Sequence, residues 1–74
     1  MREMDMASSV RECSERLLLA LAKSPHINLM SVPELLGEKS MIAYQAIGWL
    51  AREGMIRYIQ DGNQVYVSLS GDPT

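Results

Sequence analysis

Ser31-Val32-Pro33-Glu34-Leu35-Leu36-Gly37-Glu38-Lys39-Ser40-Met41-Ile42 places two helix starts and one helix stop in a single short span. Ser31 is positioned as an N-cap, Glu34 completes a capping box, and Pro33 falls in the first turn, where a missing N–H costs nothing. Met30 before the cap and Leu35 after it have the spacing of a hydrophobic staple, so Leu35 and Leu36 are expected to point inward. Gly37 supplies a left-handed stop. Only Glu38 and Lys39 then precede Ser40, the expected cap of a third helix over residues 41–53 that Gly54 closes. Ile42, Ala46, Trp49 and Leu50 share its apolar face at helical spacing. Two helices joined by so brief a glycine turn form a helix-turn-helix.

Upstream, Ser9-Val10-Arg11-Glu12 fits another capping box. Val10, Cys13, Leu17, Ala20, Leu21 and Ser24 then line one face of a first helix of about four turns, with Arg11, Glu12, Glu15, Arg16 and Lys23 on the other side. Leu18 sits at the edge of the apolar face and Leu19 projects away from it. Ser24-Pro25 ends the helix, because proline disfavours the α conformation in the residue before it. Residues 26–30, His-Ile-Asn-Leu-Met, alternate as a short edge strand does.

Downstream of Gly54 the period changes from helical to two. Residues 55–60 and 64–69 read as strands around Asp61-Gly62-Asn63, where both Asp-Gly and Gly-Asn suit a tight hairpin and the turn type stays open. Pairing them puts Ile56, Tyr58, Val65, Val67 and Leu69 on one face and Arg57, Ile59, Tyr66 and Ser68 on the other. Residues 70–74 are expected to fray. With no Phe in the chain, Trp49 and Tyr58 are expected to supply the bulk of the core, and Trp49→Ala to unfold it.

The order helix, short strand, helix, helix, strand, strand defines a small α+β fold, the winged helix-turn-helix, with the C-terminal hairpin as the wing. The stretch Ile47-Gly48-Trp49-Leu50-Ala51-Arg52-Glu53-Gly54 and the ending Tyr66-Val67-Ser68-Leu69 resemble a family of short, stand-alone bacterial and archaeal winged-helix proteins of uncharacterised function. The resemblance spans residues 9–69. It implies the fold and leaves the task open.

Length and charge bound the rest. The 74 residues suffice for one domain, residues 1–74 with an ordered core expected over about 9–69. Seven Lys and Arg against nine Asp and Glu give a net charge of −2, which argues against a binder held to nucleic acid by bulk charge and leaves room for a local basic patch. One cysteine cannot close an internal disulfide, and no Cys/His spacing suggests a metal site. The residues at the start carry charge without an apolar run behind it, and the longest apolar run, residues 17–22, falls far short of the ~20 residues of a membrane span. A cytoplasmic protein without membrane contact is the expectation. His26, in a loop, reads as an exposed structural residue, and Cys13 as a small buried apolar one. The carboxylates are scattered, so neither catalysis, a cofactor nor a small-molecule substrate is expected, and no effector pocket is discernible.

Two functional readings remain. A winged helix usually lays its third helix in the major groove of double-stranded DNA. On that basis Gln45 is placed to read an adenine edge, Lys39, Ser40 and Tyr44 to touch phosphates, and Arg52 and Arg57 to add contacts nearer the hairpin. The wing tip, residues 60–64, carries one acid and no cation, so only about two to four phosphates would be neutralised per chain unless a dimer doubles the number. The alternative is a protein-interaction or homodimerisation module. Met41, Tyr44 and the bare backbone of Gly48 form one low-charge patch, Ile59 with Tyr66 a second, and Leu19 a third.

Overall fold

The computed structural model describes residues 5–70. Its elements are α1 (Met6–Lys23), β1 (His26–Asn28), a 3₁₀ turn (Leu29–Ser31), α2 (Val32–Leu36), α3 (Ser40–Arg52), β2 (Ile56–Asp61) and β3 (Gln64–Leu69). The strands form one antiparallel sheet in the order β1-β3-β2. Three helices beside a sheet whose last two strands make a hairpin are the expected winged helix-turn-helix.

The first helix begins earlier than the Ser9 box predicts. Asp5 is its N-cap, its carboxylate accepting the Ser8 amide at 3.3 Å. Ser9 and Glu12 already lie inside the helix, where backbone carbonyls take the amides that a box would serve. Cys13, Ser14, Leu17 and Leu21 are the buried residues of α1. Ser14, which the apolar pattern passes over, is satisfied by donating to the Val10 carbonyl at 2.7 Å. Ser24 is the exposed C-cap rather than a core position.

The edge strand stops at Asn28 because the Asn28 side chain accepts the Met30 amide at 2.9 Å and turns the chain into the 3₁₀ segment. Ser31 therefore enters α2 with a helical backbone and makes no side-chain cap. The staple does not form: Met30 is 76% exposed and Leu35 56%. Val32, Pro33 and Leu36 are buried instead, leaving Leu35 on the outer side of this short helix. Gly37 has the predicted left-handed backbone, φ 64°. Arg16 of α1 donates to the Leu36 carbonyl and lies 4.0 Å from the Glu38 carboxylate, fastening α1 to the end of α2.

For α3, Lys39 and not Ser40 occupies the cap position, in extended backbone and without a side-chain bond. Ile42, Ala43, Ala46, Ile47 and Leu50 are buried. At 100° per residue this arc is turned by about 40° from the expected one, drawing in Ala43 and Ile47. Trp49 is left at its margin, 47% exposed.

The hairpin has the expected faces. Asp61 pairs with Gln64, so Gly62 and Asn63 are the turn, and only Gly62 has a positive φ, 64°. That is the backbone signature of a II′ turn rather than I′. Ile56 and Val67 are buried against the helices, but Tyr58, directly opposite Val67 on the edge strand, is 50% exposed. Neither large aromatic therefore fills the core, which is aliphatic with Cys13 at its side. The Ser70 amide donates to the Met55 carbonyl at 3.1 Å and extends the ladder past Leu69. The rest of the expected frayed tail, residues 71–74, lies outside the described residues.

Candidate nucleic-acid interface

The outer face of α3 assembles most of the predicted contact residues. Lys39, Ser40, Met41, Tyr44, Gln45, Gly48 and Arg52 are all exposed. Helical geometry places Met41, Tyr44, Gln45, Gly48 and Arg52 in one strip opposite the buried arc, about 20 Å long from Lys39 to Arg52. Cations stand at its two ends. The helix itself contains no Asp or Glu, although the chain carries nine. Acids flank it on both sides: Glu53 follows Arg52 directly as the C-cap, and Glu38 accepts the Lys39 amide at 2.9 Å and faces Arg16. The outer face of α3 thus carries a cation at each end and no carboxylate of its own, the acids lying just beyond the helix.

Two apolar features adjoin the strip. The Tyr44 hydroxyl lies 3.9 Å from the Met30 sulfur, which joins the exposed Met30 to Met41 and Tyr44. Gly48 has no heavy atom within 4 Å of where a Cβ would stand, so nothing inside the protein demands a glycine there. Its effect is on the surface, where it lowers the middle of the strip.

Trp49 contributes a feature that the sequence reading missed. Together with Gln45 it meets Met6, Ala7, Val10 and Arg11 of α1 across an open groove of about 350 Å³. The signal was present in the sequence as a Trp at the limit of an apolar arc, but only the packing of α1 and α2 decides which limit is covered.

Arg57, Ile59 and Tyr66 belong to a different surface. Ile59 is the cross-strand partner of Tyr66 as expected, and Arg57 of Ser68, all on the sheet face opposite the Ile56 and Val67 side. His26 packs edge-on to Tyr66 with ring centroids 5.5 Å apart. Arg57 is therefore a neighbour of the wing patch, not a member of the α3 strip. Leu19, 67% exposed, stands by itself on the outer side of α1.

Cys13 is buried. Burial pushes its thiol above the ordinary range, the Glu38 carboxylate adds to that rise, and Arg16 opposes it. A thiol held protonated in a core is a packing residue, not a nucleophile. No helix among the described residues is long and apolar enough to cross a membrane.

No family model matches the chain, and no curated protein matches it either. Among solved structures, it is similar to reduced HlyU from Vibrio cholerae N16961, with a TM-score of 0.68 over 89% of this chain and 74% of that one. At 17% identity the two share a fold, the winged helix.

Proposed function

We propose that the protein binds double-stranded DNA through α3 as a transcription regulator, the helix entering the major groove. The observation that carries this is the α3 strip: the exposed outer face of a thirteen-residue helix that contains no acid in an acidic protein, with Lys39 and Arg52 at its ends. In this role Lys39, Ser40 and Tyr44 meet phosphates, Gln45 reads a base edge, Gly48 lets the backbone approach, and Arg52 holds the far strand. The wing tip takes no phosphate, so affinity is modest and specificity rests on few contacts. The resemblance of the α3 stretch to short, stand-alone winged-helix proteins supports the fold that presents this strip.

A second reading, a protein-docking surface on the same helix, is favoured by the exposed Met30, Met41, Tyr44 and Trp49. The two separate by mutation. If DNA is the ligand, Lys39→Ala with Arg52→Ala lowers duplex affinity about tenfold or more, two phosphate contacts being lost. Met41→Ala should then change little. If the double variant binds duplex as the parent does, the DNA role of α3 is wrong.

A further inference from the structure

The free edge of the wing carries information that the α3 reading does not use. β2 is an edge strand of six residues, and among the described residues nothing pairs with its outer side. Such an edge is normally blunted by charged side chains, proline, a bulge or brevity. β2 has no proline and no bulge, its register against β3 runs without interruption from Ile56 to Asp61, and its two charges, Arg57 and Asp61, are of opposite sign, so they repel a second copy only in the wrong register.

The backbone phase of that edge follows from the hairpin. Asp61 and Gln64 flank a two-residue turn, so they and every second pair beyond them, Ile59 with Tyr66 and Arg57 with Ser68, exchange both amide bonds. The bond from the Ser70 amide to the Met55 carbonyl continues the same phase. The amides and carbonyls of Ile56, Tyr58 and Gln60 consequently point away from β3.

We infer that two copies of the chain pair antiparallel along β2, about a two-fold axis at Ile59, to form one continuous six-stranded sheet. In this register Tyr58 of one copy lies opposite Gln60 of the other, and their outward amides and carbonyls meet. Ile59 lies opposite Ile59, so the Tyr66–Ile59 row of one copy continues into that of the second. Arg57 of each copy lies opposite Asp61 of the other. Within one chain these two charges share a face but stand about 13 Å apart, four residues along a strand. Among the described residues the one ion pair is between Arg16 and Glu38, so neither charge is paired there. Of the other two-fold registers that satisfy the backbone, those centred on Tyr58 or Gln60 set Arg57 against Ile59 or the turn, and one centred on Arg57 sets it against its own copy. Charge complementarity therefore selects the Ile59 register. This surface is separate from α3 and does not depend on DNA binding.

Sedimentation equilibrium from about 1 µM to 1 mM, the range expected for an edge contact of this size, tests the proposal. The parent should dimerise. Arg57→Glu or Asp61→Arg alone should weaken the dimer about tenfold or more, because each reversal sets like charges opposite twice. Combining the two should restore it. Ile59→Cys should form an intermolecular disulfide on mild oxidation, since facing residues of a non-hydrogen-bonded pair are close and Cys13 is buried. Tyr58→Cys, opposite Gln60, should not. A parent that stays monomeric throughout, a dimer indifferent to the charge reversals, or a double variant that remains dissociated would each overturn the inference.

Discussion

Trp49 lies half in solvent because the buried arc of α3 runs through Ala43, Ala46, Ile47 and Leu50 and leaves it at the margin, facing a groove against α1. The volume lost in Trp49→Ala is therefore mostly groove rather than core. We expect a cost of about 1–2 kcal/mol in urea unfolding, against the ~3–5 kcal/mol of a buried aromatic. A variant that no longer folds would place Trp49 in the core after all. Cys13 gives the opposite case, a small side chain with a deep setting. Its thiol pKa is raised on folding, so the folded chain holds that proton more tightly than the unfolded one. The associated stability is complete below the ordinary thiol pKa of about 8.5 and is lost as pH rises above it. The urea midpoint should fall between pH 7 and pH 10 by more in the parent than in Cys13→Ala. An identical fall in both would show that the thiol is not shielded.

At the scale of elements, the sequence displays which segments exist better than how they are turned. The change of period at Gly54 and the paired Gly and Asp around residue 62 announce the hairpin, and an Asp-Gly or a Gly-Asn turn alike puts Ile56 and Val67 on one face, so the faces were legible and the register, Asp61 opposite Gln64, was not. The helix caps were less legible. A capping box needs an extended cap residue, and both Ser9 and Ser31 are pre-empted by helical backbone that starts upstream of them, at Asp5 and at Asn28. The rotation of α3 was illegible for another reason. Ile42, Ala43, Ala46, Ile47, Trp49 and Leu50 make an apolar arc wider than the core can cover, and the helices packed on it choose the part that is buried. The exposed strip was readable all the same, because Met41, Tyr44, Gln45, Gly48 and Arg52 lie on the far side of either choice.

For the whole molecule, charge is distributed against the grain of its total. The net charge is −2, yet α3 is free of acids and the wing edge carries Arg57 and Asp61 at complementary positions. A single domain of this size has few contacts to offer a duplex, and pairing along β2 would bring two α3 helices into one particle. The central claim is that α3 contacts phosphates. Its most direct test is fluorescence anisotropy of a labelled random duplex, titrated with the protein at low salt and repeated as salt is raised. The account predicts saturable binding whose logarithm falls linearly with the logarithm of salt, with a slope of about −2 to −4 per chain. Absence of binding at the lowest salt, or binding that salt leaves unchanged, would contradict it.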